Sequence, residues 1–193
     1  MMPGPMFAVT LAKSYKSPWA GTQISLGHAV IEVPLILLIY FGLAQFFQNS
    51  VVQLVLSILG GGMVIWLGVN MFRARTEVAQ GGKDLPYSAF TAGMLTSGFN
   101  PFFLLWWATI GSMLIMRFLD FGTTGLTIFI IAHWLCDLLW LSFVSVTVNK
   151  THSLWGQKIL WGRKLQEWVF IACSLLLVGF GIWFLKEGIQ LVV

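Results

Sequence analysis

Two histidines and two carboxylates recur in one pattern: His28 stands four residues before Glu32, and His133 four residues before Asp137. On a helix that spacing puts both members of each pair on one face. An imidazole beside a carboxylate can pass a proton, since a histidine titrates at about pH 6.5 when unperturbed. The carboxylates offer a counter-charge to an ammonium group, and all four side chains together offer nitrogen and oxygen ligands to a divalent transition metal. Which of these chemistries applies depends on the elements that carry the pairs.

Those elements belong in a membrane. Charged residues are 9% of the chain and apolar residues 58%, against about 25% charged in an average soluble domain. Marking apolar runs against the roughly 20 residues that a helix needs to cross a bilayer predicts five spans, about 22–47, 51–72, 87–116, 121–148 and 168–190, with a shorter apolar piece at 3–12. The runs are apolar all round, which excludes the alternating strands of a barrel. Glycines 60–62, 68, 122, 125, 179 and 181 read as places where helices approach closely. Cys136 and Cys173 fall inside spans and read as small hydrophobes. The start of the chain lacks the basic, apolar and small-residue pattern of a signal peptide. The predicted fold is therefore all-α: a polytopic membrane bundle forming a single domain over 1–193.

Charge orients the bundle. Threading the chain up and down places Lys13, Lys16, Arg73, Arg75, Lys83, Lys150, Lys158, Arg163 and Lys164 on one side and only Arg117 and Lys186 on the other. An excess of Lys and Arg marks the cytoplasmic face. Loops 73–86 and 149–167 are accordingly expected inside the cell and the carboxy terminus outside, with the Trp-containing loop 149–167 suited to lie in the headgroup layer. The net charge of +4 reports topology and not nucleic-acid binding.

The third predicted run holds Thr96-Ser-Gly-Phe-Asn-Pro-Phe-Phe-Leu-Leu-Trp-Trp107 in the middle of an uncharged stretch, 85–116. Pro101 has no N–H and clashes with the carbonyl of Ser97, while Asn100 is a good N-cap and Pro101 a favoured first helical residue. One half-helix is expected to end there and another to begin. Pro3-Gly4-Pro5 stands in the same relation to the short piece that follows it. Pro5 and Pro101 are 96 residues apart, and the His and acid pairs 105. Paired Gly/Pro-interrupted segments in two halves point to a transporter built from inverted repeats, here 1–75 and 86–193 joined by the loop 73–86.

The segments "PGPMFAVTLAKSYKSPWAGTQISLGHAV", "GGGMVIWLGVNMF" and "FTAGMLTSGFNPFFLLWW" resemble the LysE/RhtB translocators, membrane exporters of amino acids, and the resemblance runs over essentially the whole chain. It implies a bundle of two inverted three-helix repeats. Family members usually show Asn-Pro-Lys where this chain has Asn100-Pro101-Phe102. They also begin ten to fifteen apolar residues before the PGP element, so the first helix here is expected to be truncated at its N-terminus, with coding sequence continuing upstream.

Together these readings predict a proton-coupled secondary exporter and not an enzyme, needing no cofactor, whose partners are a small amino-containing solute and the lipid bilayer, with self-association left open. Pro3, Gly4, Pro5, Asn100 and Pro101 would receive the substrate carboxylate at helix N-termini, and Glu32 and Asp137 its ammonium. His28 and His133 would share the coupling proton with those acids. The alternative is export of a divalent transition metal by His28, Glu32, His133 and Asp137. A thiol–disulfide electron carrier is excluded, because its cysteines would have to stand at the two proline breaks.

Overall fold

The computed structural model describes residues 4–79, 84–153 and 160–190, and the elements among them are helical. Pro3, Lys83 and residues 154–159 of the expected interfacial loop, Lys158 among them, lie outside the described residues, while the two ends of that loop are helical, in α8 up to Thr151 and in α9 from Leu160. The helices are α1 (Pro5–Ser14), α2 (Ala20–Leu38), α3 (Ala44–Gln48), α4 (Ser50–Ala79), α5 (Ala89–Gly98), α6 (Pro101–Trp106), α7 (Ser112–Leu119), α8 (Gly122–Thr151) and α9 (Leu160–Gln190). Five stretches are long and apolar enough to cross a membrane: Ala20–Phe47, Ser50–Thr76, Pro101–Leu119, Gly122–Thr151 and Lys164–Gln190.

Two expected boundaries shift. The 87–116 run is broken where Asn-Pro predicted, so α5 stands apart from the span that Pro101 opens. The loop expected at 73–86 begins later, because α4 runs on to Ala79 and leaves Arg73 and Arg75 helical. Arg75 reaches Glu167 of α9 at 3.9 Å. Wide turns interrupt two spans, at Ile39–Leu43 and Trp107–Gly111. In the first, Gly42 takes φ of 99° and bends the chain into α3. In the second, a Cβ on Gly111 would collide with the Trp107 ring.

Hydrogen bonds gather the basic loops at one end. Asn149 of α8 donates to the Ser14 carbonyl at 2.9 Å and Ser145 to the Ser17 carbonyl at 3.2 Å. Lys13, expected among the loop charges, is instead 3% exposed and donates to Asp84 at 2.9 Å, to the Leu85 carbonyl at 3.3 Å and to the Tyr87 carbonyl. All three donors of its ammonium are thereby used. The close of α1, the starts of α2 and α5 and the close of α8 thus meet at this end.

Small residues set the packing. On α2, a Cβ at Gly27 would run into the Phe90 carbonyl of α5, and a Cβ at Gly21 into the Leu141 carbonyl of α8; on α5, Gly93 meets the Ile24 carbonyl in the same way. Helix α2 is therefore seated between α5 and α8 at backbone contact. Helices α4 and α9 pair along their length through Gly61, Gly68, Gly181 and Gly188. Gly60 and Gly125 also sit against backbone, as expected, whereas Gly62 and Gly179 face open space and Gly122 serves a left-handed turn with φ of 71°.

The apolar core falls into two clusters. One includes Ile24, Ala92 and Leu141, near the basic end, and the other includes Leu35, Leu104, Leu126 and Phe129. Between the clusters, α2, α5 and α8 each place polar residues: His28 and Glu32, Ser97, and His133 and Asp137. Replacing Gly93 by Ala should push α2 from α5 and lower the melting temperature of the solubilised protein. Gly62→Ala, which meets nothing within 4 Å, should leave it unchanged or raise it slightly, since Gly costs a helix about 0.5–1 kcal/mol relative to Ala. Equal losses in both variants would contradict this packing.

Candidate functional site

Helix α2 delivers His28 and Glu32 because both lie on the face that Gly21 and Gly27 press against the neighbouring helices. Helix α8 delivers His133 and Asp137 to the same level, its register fixed by Trp134, whose Nε1–H donates to the Ser25 carbonyl at 3.1 Å, and by Thr22 and Ser142, 2.8 Å apart. The two pairs interlock. His28 Nε2 lies 3.1 Å from Glu32 Oε1 and 3.3 Å from Asp137 Oδ2, while His133 Nε2 lies 3.4 Å from the same Glu32 oxygen. Each histidine thus faces the acid of the other helix, an arrangement that the spacing within either pair does not specify.

A fifth residue completes the group. His28 Nδ1 is 2.6 Å from Ser97 Oγ, and Ser97 Oγ donates its own proton to the Gly93 carbonyl at 2.7 Å. A hydroxyl has one proton to give, so His28 Nδ1–H is the donor and Ser97 the acceptor. Nε2 then confronts two carboxylate oxygens, and each of those contacts needs a proton, either on the ring or on an acid. The cluster therefore holds protons between bases, and His28 stands at its centre. Sequence reasoning missed Ser97. Its signal was position: it is the last hydroxyl before the predicted break.

Burial grades the four. Glu32, His28 and Asp137 are 1%, 3% and 8% exposed, whereas the His133 side chain is 30% exposed. Aromatic rings close around them. Phe103 meets the His28 ring at 5.1 Å; Trp106 lies parallel to His133 at 6.0 Å and Trp107 edge-on at 5.2 Å. Ligand atoms of His28, Glu32 and Asp137 all lie within 4.8 Å of one another, so the same geometry could hold a metal cation.

The two helix breaks differ. At α6, Asn100 Oδ1 accepts from the N–H groups of Phe102 and Phe103 at 3.1 and 3.3 Å. The Ser97 carbonyl, which Pro101 cannot serve, takes the Asn100 N–H at 3.1 Å. This break satisfies itself. Helix α1 also starts on a proline, Pro5, but its N-cap is Gly4, which supplies no side-chain acceptor. Pro5 is nine residues from Ser14 and His28 eight from Ala20, so each lies about 12–14 Å in from the basic end by helix rise. Among the described residues, the helix N-terminus that lies at the depth of the cluster without a side-chain cap is therefore that of α1.

A family described as LysE type translocator matches residues 1–188. The protein named "Putative amino acid efflux protein YcgF" of Bacillus subtilis (strain 168) is 28% identical over 193 residues, covering 97% of this chain and 90% of the relative. No solved structure matches the chain.

Ser97 can be tested through stability alone. Ser97→Ala removes the acceptor of a buried N–H, a loss of about 1–3 kcal/mol, and should lower the melting temperature; Ser97→Thr should restore it. Thr96→Val is the control, because the Thr96 hydroxyl bonds only its own helix backbone, at Ala92 and Gly93. A Ser97→Ala melt no lower than that of Thr96→Val would remove Ser97 from the cluster.

Proposed function

The chain belongs to the LysE type translocator family, and from that membership we propose that it is a secondary exporter of amino acids whose substrate and coupling proton meet at His28, Glu32, His133 and Asp137. The observation that carries this reading is the cross-linked cluster itself: two buried acids and two imidazoles from two helices, 3.1–3.4 Å apart, within an apolar bundle. The printed name of the Bacillus subtilis relative supports the substrate class.

In this reading the substrate ammonium displaces His28 from Glu32 or Asp137, and the released proton passes along the imidazoles. The substrate carboxylate is received at the uncapped N-terminus of α1, at Gly4 and Pro5. Asn100 and Pro101 shape the opposing wall, since Asn100 has already claimed the first amides of α6. The basic end faces the cytoplasm and the carboxy terminus the outside. Segments 1–75 and 86–193 act as inverted repeats that rock about the cluster. The pairing of α2 with α8 and of α4 with α9 supports that division, because these are the corresponding helices of the two halves.

Divalent-metal export is the second reading, favoured by the 4.8 Å grouping of His28, Glu32 and Asp137. Efflux from proteoliposomes loaded with mixed amino acids, or with Mn, Co, Ni, Zn and Cd ions, separates the two. For an amino acid, Glu32→Gln and Asp137→Asn should abolish efflux and His28→Gln and His133→Gln should mainly shift its pH dependence. For a metal, loss of any ligand should be equally damaging. Metal efflux without amino-acid efflux would overturn the first reading, and no movement of either would leave the cluster as helix–helix glue.

A further inference from the structure

A serine or threonine inside a helix can turn its hydroxyl back on the carbonyl one turn earlier. Thr10, Ser14, Thr96 and Ser97, all buried, do so, bonding the carbonyls of Met6, Thr10, Ala92 and Gly93 at 2.5–2.8 Å. Ser25 of α2 does not. It is 0% exposed, and among the described residues its Oγ has no hydrogen-bond partner. A buried polar group without a partner is destabilising, so the fold gains nothing from this hydroxyl.

Its place is the seam between α2 and α8. Gly21, Ser25, His28 and Glu32 share one face of α2, at i, i+4, i+7 and i+11, and Trp134, Asp137 and Leu141 share one face of α8, at i, i+3 and i+7. The two faces meet at three levels. A Cβ on Gly21 would strike the Leu141 carbonyl, the Ser25 carbonyl accepts the Trp134 Nε1–H at 3.1 Å, and His28 Nε2 lies 3.3 Å from Asp137 Oδ2. Ser25 therefore stands between the Gly21–Leu141 contact and the cluster, about 4.5 Å of helix rise from His28. It borders the cluster on the side of the basic end and bonds to neither acid.

We propose that Ser25 Oγ is the third acceptor for the ammonium of a primary amino acid, beside Glu32 and Asp137, and that it makes the site select primary over secondary amines. The inference rests on the amino-acid reading of the transporter. An ammonium carries three N–H donors, and their tetrahedral spread needs acceptors in three directions. Glu32 and Asp137, from two helices, supply two of them. Ser97, the hydroxyl already in the cluster, is engaged with His28 and Gly93. Ser25 supplies the third direction, and it gains a partner only when the solute arrives, so no bond of the resting protein is broken to form this one. An N-methylated amino acid has one N–H fewer and leaves one of the three acceptors unpaired.

Efflux from proteoliposomes tests this with a primary amino acid that the wild type moves and with its N-methyl derivative. In the wild type the derivative should show a KM about tenfold higher, the loss of one hydrogen bond to a charged group. Ser25→Ala should raise KM for the primary amino acid about tenfold and leave that for the derivative nearly unchanged, so the two converge. The melting temperature of the Ser25→Ala protein should not fall, because the resting fold loses no hydrogen bond. A wild type that takes both solutes equally, a Ser25→Ala protein that keeps the wild-type ratio of the two KM values, or one that melts as low as Ser97→Ala, would overturn the role of Ser25 while leaving the exporter intact. A wild type that moves no amino acid would remove the transport reading and this one together.

Discussion

Glu32 lies between two imidazoles supplied by two helices, and the rest of the bundle follows from keeping it there. A carboxylate at the centre of a span costs about 2.5–3.5 kcal/mol on insertion scales, and Asp137 adds a second. Neither cost is offset unless His28 and His133 approach to hydrogen-bonding distance from opposite helices. That approach requires α2 and α8 to touch at backbone contact, which Gly21 permits, and to hold one register, which Trp134 and the Thr22–Ser142 pair maintain. Helix α5 enters through Gly27 and Gly93 and brings Ser97 to the free nitrogen of His28.

The helix break has a role in the same arrangement. Continuing α5 past Gly98 would leave Ser97 in the middle of an unbroken helix, with its carbonyl committed to the next turn. Ending α5 there and restarting at Pro101 lets Phe103, Trp106 and Trp107 turn toward the imidazoles. Asn100 makes the interruption tolerable by supplying the missing acceptor and donor locally, since an unsatisfied backbone group away from water is expensive. The apolar clusters are consequently separate, and α4 with α9 builds part of the first, through Val64, Leu67 and Met71 and through Phe170, Leu177 and Phe184.

Much of this was legible in the chain. The four-residue spacing placed each histidine with an acid on one helical face, and the Asn-Pro and Pro-Gly-Pro elements located both helix starts, because proline and N-cap chemistry act locally. Cross-pairing was not legible. His28 meets Asp137 as well as Glu32 only through the azimuth of α2 against α8, a tertiary quantity set by distant glycines. Lys13 was read as a loop charge because sequence shows hydropathy and not the three acceptors that the 84–87 segment folds back to supply. Ser97 was passed over for the same reason: a serine near a break looks like helix-end chemistry until a ring nitrogen is found beside it. Gly62, Gly122 and Gly179 read as contacts from composition alone, yet glycine in a helix means close approach only where a neighbour is present.

The central claim is that the imidazole–carboxylate cluster holds the moving solute, and the histidines can report this themselves. The chain has three histidines; His28 and His133 are in the cluster, while His152 packs against Tyr15 at the basic end. Solid-state ¹⁵N spectra of histidine-labelled protein in lipid resolve protonated from unprotonated ring nitrogens, and His→Gln variants assign the signals. Saturating the sample with the transported amino acid should move the His28 and His133 signals, as their protons are redistributed, and leave His152 in place. Unchanged His28 and His133 signals at a concentration that saturates transport would contradict the account and return the cluster to a purely structural role.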